Sequence, residues 1–230
     1  MTKMGHRFLS EDHIYRDLTI ALGLILILSP VLDTLFDSWK IDSYLTAGFL
    51  LFALYEITRR TTDLVIGLAL GVPAVASGFF NAATPDTPAF NVVPIVLGAF
   101  FLGFLIWRIL KDVFTGSRIS SEQIFGSVCA YLLIGFLFSS IYGFIALVDS
   151  DAFALSDALM NELPFQSNKK GSSFYTYFSF VTMSTLGYGD IAPVSSAARS
   201  FAWVQAVLGQ LYLAITVAAL VGIHIARNRD

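Results

Sequence analysis

The stretch TMSTLGYGD, Thr182 to Asp190, lies between two strongly apolar segments near the end of a 230-residue chain. Its reading decides the fold. Lipid offers no hydrogen-bond partner to the backbone, so irregular main chain at membrane depth is tolerated only where it is buried in protein or lines a cavity. The chain is 56% hydrophobic and 13% charged, and its mean hydropathy is +0.71. Soluble domains carry about 25% charged residues, so this composition indicates an integral membrane protein. A net charge of −3 and no basic run longer than Arg59-Arg60 argue against nucleic acid as a partner. The single cysteine, Cys129, excludes an intrachain disulfide, and no Cys/His cluster suggests a metal site or a bound cofactor.

Crossing a bilayer takes about 20 mostly apolar helical residues. Six runs qualify: residues 14–36, a short one at 41–58, 64–80 with Pro73 inside it, 92–110, a longer one at 119–148, and 197–226. Residues 1–13 carry Lys3, His6 and Arg7, which faintly imitate a secretory signal. Glu11, Asp12 and Asp17 interrupt that flank, so the first span is expected to be retained. Between the last two runs lies an apolar stretch too short to span, residues 174–184, which reads as a re-entrant helix leading into the quoted motif.

With both termini cytoplasmic, the inner side collects Lys3, Arg7, Arg16, Arg59, Arg60, Arg108, Lys111, Arg118, Arg227 and Arg229, against Lys40, Lys169, Lys170 and Arg199 outside. The positive-inside rule favours that topology, and it puts the motif in the outer half of the membrane. Gly67 with Gly71, and the stripe Gly135, Ser139 and Gly143, mark close helix contacts.

A cation leaving water must be offered replacement oxygens, and a row of main-chain carbonyls aimed at one axis supplies them. Extended backbone points successive carbonyls in opposite directions, so aligning them requires residues at positive φ, which glycine adopts freely. Gly187 and Gly189 provide that freedom. Thr185 adds a hydroxyl at the inner end, Leu186 and Tyr188 are expected to point away from the axis, and Asp190 marks the return to water.

TLGYGD resembles the selectivity-filter signature of potassium channels, T-x-G-Y-G-D, with Leu186 where valine is commonest. Average residue usage gives odds of roughly one in ten thousand for such a match in a chain of this length. The flanks fit as well, because the family's unit is helix, pore helix, filter, helix. The likeness runs over about residues 119–226. It implies an all-α integral membrane fold of six transmembrane helices with a re-entrant pore helix and filter loop, assembled as a homotetramer in the cell membrane. The implied organisation is a cytoplasmic N-terminus (1–13), a four-helix domain (14–117) and a pore domain (118–230). The pore domain divides into outer helix 119–148, turret 149–172, pore helix 173–184, filter 185–190 and inner helix 197–226.

The resemblance also implies residue roles. K+ would bind at Thr185, Leu186, Gly187 and Tyr188, with Gly189 completing the filter and Asp190 at its mouth. Tyr177, Phe178, Val181, Thr182 and Ser184 would support it from the pore helix, with Tyr177 and Phe178 as an aromatic cuff. Val181 stands where some members carry a glutamate bonded to the filter aspartate, which deprives Asp190 of that partner. Gly209 falls at the family's inner-helix hinge, and a glycine there costs about 1 kcal/mol relative to alanine. A turret holding Asp149, Asp151, Asp157 and Glu162 against Lys169 and Lys170 would concentrate cations.

Voltage-gated members carry arginines at every third position of their fourth helix. Here VVPIVLGAFFLGFLIWRILKDVF has no charge before Arg108 and then only Lys111, with Arg118 beyond. Steep voltage dependence takes three or four gating charges per subunit, at about 2.3 kcal/mol per charge per 100 mV. These residues read as cytoplasmic anchors, and Asp33, Glu56 and His224 as interfacial groups. No RCK or cyclic-nucleotide domain is expected after Asp230, so gating would come from the filter, the inner helix, lipid or a separate regulatory subunit. The expected activity is passive K+ conduction, with no enzyme chemistry. A K+ transporter subunit and a non-conducting membrane sensor are the alternatives. Transporter subunits repeat the pore unit four times and keep one glycine per filter, unlike this chain.

Overall fold

A computed structural model describes residues 14–36, 48, 52–53, 61–83, 88–115, 121–156 and 172–227. Six helices and one small ribbon make up the described part. Helix α1 is Ile14–Phe36, α2 is Thr61–Ala83, α3 is Pro88–Thr115 and α4 is Ser121–Val148. Strand β1 (Phe153–Leu155) follows, then the short α5 (Ser172–Met183), strand β2 (Ile191–Pro193) and the long α6 (Ser196–Arg227). Most of the span expected at 41–58, the glutamate Glu56 and most of the turret, 157–171, lie outside the described residues.

Among the described residues, three helical stretches are long and apolar enough to cross a bilayer: Val92–Thr115, Ser121–Val148 and Ser196–Ala219. With them the chain is a multi-pass membrane protein, predominantly helical. Pro73 and Pro94 sit inside α2 and α3 without ending them. Pro94 is the seventh residue of α3, beyond the first turn whose N–H groups lack intrahelical partners, so one backbone bond is forgone there.

Helix α4 is the hub, packing against α1, α3, α5 and α6. Its small residues make this possible. A Cβ on Gly126 would sit 2.9 Å from Val113 and 3.3 Å from the Tyr15 ring, so α1 and α3 close in there. The stripe Gly135, Ser139 and Gly143 receives α5. A Cβ on Gly135 would meet the Phe180 ring at 2.5 Å, Ser139 Oγ is 2.9 Å from Thr176 Oγ1, and Gly143 faces Tyr175. Gly71 lets α2 approach Phe101 of α3.

Two cores result. One gathers Leu18, Leu22, Phe101, Leu105, Ile109 and Leu133 between α1, α3 and α4. The other is aromatic, with Phe178 edge-on to Tyr142 at 4.9 Å and to Phe153 at 5.2 Å. Edge-to-face pairs of this kind contribute about 0.5–1.5 kcal/mol each beyond area burial.

The β ribbon was not anticipated from sequence, where everything was expected to be helix or loop. Strands β1 and β2 pair antiparallel with Phe153 opposite Pro193, Ala154 opposite Ala192 and Leu155 opposite Ile191. Three-residue strands far apart in sequence are too short to display a period of two. The ribbon continues into the loops, with Ser156 N–H donating to Asp190 O at 2.9 Å and Val194 N–H to Ala152 O at 2.8 Å. Ser195 then caps α6, its Oγ accepting from Ala198 N–H at 3.2 Å.

At the other end of the helices, Tyr15 ties α1 to both neighbours. Its hydroxyl donates to Asp112 Oδ2 at 2.7 Å, and its N–H donates to Glu122 Oε2 at 2.9 Å. Arg108 pairs with Asp112 one turn along α3, and the Lys111 ammonium lies 5.2 Å from the Trp107 ring centroid. Both basic residues of this helix therefore have local structural partners.

A candidate cation-binding loop

The loop begins with the way α5 stops. Thr185 N–H donates to Thr182 O at 3.1 Å, and Leu186 N–H reaches back to Val181 O at 3.0 Å. Thr185 itself has φ +59°. This pair of bonds around a left-handed residue is the Schellman helix stop, and its left-handed position is usually glycine. A β-branched residue there is a conformational outlier, with a cost of about 1–2 kcal/mol. Its hydroxyl donates to Ser184 O at 2.6 Å.

Left-handed residues then recur at every second position: Gly187 has φ +60° and Gly189 has φ +79°, whereas Leu186 and Tyr188 are not left-handed. An alternation of this kind is what a row of carbonyls facing one side requires. Among the described residues, none of the main-chain oxygens from Thr185 to Gly189 accepts a hydrogen bond. Five consecutive unclaimed acceptors at a helix carboxyl end form a site of partial negative charge suited to a cation. Sequence reading anticipated the freedom of the glycines and the presence of Thr185 in the loop but not the left-handed backbone of Thr185, because nothing in its type signals that conformation.

The expected supporting residues separate into groups. Tyr177 donates from its hydroxyl to Asp190 Oδ2 at 2.6 Å. Asp190, lacking a glutamate at 181, thus acquires a phenol instead, and its Oδ1 accepts from Ile191 N–H at 3.0 Å. Phe178 faces the other way, into the aromatic core against Tyr142 and Phe153. Val181 and Thr182 supply the carbonyls of the helix stop, and Ser184 Oγ donates to Phe180 O at 2.7 Å. Leu186 and Tyr188 are 54% and 67% exposed in the single chain, so no wall of their own subunit stands behind them.

Behind the loop stands α6. A Cβ on Gly209 would lie 2.7 Å from Met183 O and 2.8 Å from Met183 Cγ, so the helix needs glycine there for close approach to the end of α5. The buried face of α6 is a narrow stripe through Ala198, Gln205, Gly209 and Thr216, and most of its other side chains, including Leu208, Leu211 and Ile215, are exposed. The side chains of Asp33 and His224 lie outside the described residues.

Residues 126–224, from α4 through the loop to α6, match the family model described as Ion channel. The Voltage-gated potassium channel Kch of Escherichia coli (strain K12) is 34% identical over 130 residues, covering 54% of this chain and 27% of that protein. The chain therefore spans about a quarter of that relative's length. No solved structure matches. Residues 126–224, with their unclaimed row of carbonyls, are thus similar to ion channels and to a potassium channel.

Proposed function

We propose that the protein is a passive, potassium-selective channel built as a homotetramer. The observation that carries this reading is the alternation of left-handed residues at 185, 187 and 189 with their carbonyls unclaimed. One chain supplies a quarter of a coordination cage, and four around an axis complete it. K+ sheds water into sites formed by the carbonyls of Thr185, Leu186, Gly187 and Tyr188 and the Thr185 hydroxyl, and ions pass by mutual displacement. The exposure of Leu186, Tyr188 and most of α6 in the single chain supports the tetramer, because a neighbouring subunit would cover the former and an axial cavity or lipid the latter.

In this reading α5 is re-entrant, α4 is the outer helix and α6 the inner helix, with Gly209 allowing a bend in addition to its packing role. Residues 14–117 form a peripheral four-helix domain, the membrane holds six spans in all, and both termini are cytoplasmic. Voltage dependence is weak: Arg108 and Lys111 are the only basic residues of α3 and are held by Asp112 and Trp107.

Purified protein in liposomes tests this directly. A K+ flux down its gradient, blocked by Ba2+, is expected, and Gly187→Ala should abolish the flux or its preference over Na+ while the tetramer persists. Space is open around Gly187, so the substitution acts through its φ of +60° rather than through a clash. Uphill coupled uptake would indicate a transporter, absence of flux a sensor, and a fully selective Gly187→Ala variant would remove the carbonyl assignment.

A further inference from the structure

Three helices meet at one buried hydrogen-bonded chain. Tyr142 Oη of α4 donates to Gln205 Oε1 of α6 at 2.7 Å. Gln205 Nε2 donates to Ser179 Oγ of α5 at 2.7 Å, and Ser179 Oγ donates to Gly135 O of α4 at 2.6 Å. Tyr142, Ser179 and Gln205 are each 0% exposed. Every proton points the same way along the relay, and it begins and ends on α4, two turns apart. Only a side chain that accepts at one atom and donates at another can occupy the middle, which is what an amide offers.

A polar side chain in the middle of an apolar membrane helix is costly unless it has such partners, and it marks a functional position by default. What Gln205 holds is α5, and the grip lies one turn from the second α5–α6 contact, where Gly209 backs the Met183 carbonyl. Ser179 and Met183 are themselves one turn apart, so the two contacts are in register along both helices. Met183 is the last residue of α5, two before the left-handed Thr185. A rotation or bend of α6 at this turn therefore moves the end of α5, and with it the first carbonyls of the loop.

We propose that Gln205 is a positioning residue for the ion site: it fixes the orientation of α5, and through it the geometry of Thr185–Gly189, and it carries displacements of α6 to that loop. This rests on the proposed reading of the loop as a K+ site. The site then responds to the inner helix without any contact between Gln205 and the ion.

The test compares wild type with Gln205→Met, which keeps the length of the side chain but neither hydrogen bond. Melting of the purified full-chain tetramer is followed against K+ concentration, with choline holding ionic strength, and the K+/Na+ flux ratio is measured in liposomes. A bound ligand raises apparent stability as the logarithm of one plus its concentration over Kd, so the concentration at which stabilisation sets in reports the affinity. In Gln205→Met, the K+ concentration at which stabilisation sets in is expected to rise at least tenfold and the flux ratio to fall at least tenfold. Tyr142→Phe, which removes one bond and leaves Gln205 on Ser179, should move both quantities in the same direction by about threefold. The double variant should be no worse than Gln205→Met, as members of one network are non-additive. A melting temperature lowered equally in K+ and choline, with the onset K+ concentration and the flux ratio unchanged, would mean Gln205 only glues the helices and would overturn the proposal. If Gln205→Met does not assemble, Tyr142→Phe decides by the same two readouts. No K+-specific stabilisation in the unmodified protein would instead remove the underlying reading of the loop, and the proposal with it.

Discussion

Thr185→Gly should separate the stability of the loop from its function, because the two move in opposite directions. Thr185 occupies the left-handed position of the helix stop at φ +59°. An L-residue pays about 1–2 kcal/mol there, which glycine avoids. Glycine in turn loses about 0.4–1 kcal/mol through the greater freedom of the unfolded chain. The balance is a gain of about 0 to 1.6 kcal/mol per chain, multiplied across the assembly. At roughly 2–4 °C per kcal/mol for chains of this size, the variant tetramer should melt at the same temperature as wild type or a few degrees higher in choline. In K+ the order should reverse if, as proposed, the hydroxyl completes the innermost cage, because the variant has lost it. Thr185→Ser, which keeps the hydroxyl and sheds the β-branch, should retain most of the K+ response. The assay is thermal melting in the two salts, with K+ flux alongside. If Thr185→Gly melts well below wild type in choline, the left-handed threonine is not under strain. If its K+ increment is undiminished, the hydroxyl is not a ligand.

Other outcomes follow from single contacts. Gly209→Ala gains about 1 kcal/mol of helix propensity but drives a methyl to 2.7 Å from Met183 O, an overpacking cost of about 1–3 kcal/mol. A lower melting temperature is expected, and a higher one would mean the α5–α6 contact is looser than described. Gly135→Ala places its methyl 2.5 Å from the Phe180 ring and should destabilise the assembly by a similar amount, measured by detergent-resistant tetramer on gels after heating. Tyr177→Phe removes the 2.6 Å bond to Asp190; exposure keeps the stability cost below about 1 kcal/mol, but flux should decay faster after K+ depletion, and an unchanged decay would show that the loop mouth does not depend on this bond. Arg108→Gln should leave the steepness of the conductance–voltage relation unchanged. A loss of slope worth about one charge, 2.3 kcal/mol per 100 mV, would make Arg108 a gating residue after all.

What could be read from the residues is whatever they encode locally. The apolar runs at 92–110, 119–148 and 197–226 correspond to α3, α4 and α6 because a membrane helix satisfies its backbone within itself. The short α5 was legible from its length and its position before TLGYGD. Gly187 and Gly189 announced their own backbone freedom, and the stripe Gly135, Ser139, Gly143 announced a close neighbour. The missing parts are non-local. The ribbon depends on pairing Phe153 with Pro193, which no window of sequence contains. Tyr177 reaches Asp190 across the loop, and Gln205 joins three helices. A partial signal did exist for Gln205, since an amide inside the apolar α6 calls for partners, but Gln210 in the same helix offers that signal too and is exposed. Thr185 gave none, because its backbone angle is set by the termination of α5 rather than by its own preference.

The β1–β2 ribbon bears on how the loop at 185–190 is held. The loop is tethered at one end by the stop of α5 and at the other by Ser156 and the strand beginning at Ile191. It behaves as a bowstring between two fixed pegs, its tension set by anchors outside the string. Five oxygens so suspended can hold a spacing that the bare peptide would never choose, and slackening the outer peg at Phe153 would detune them all together.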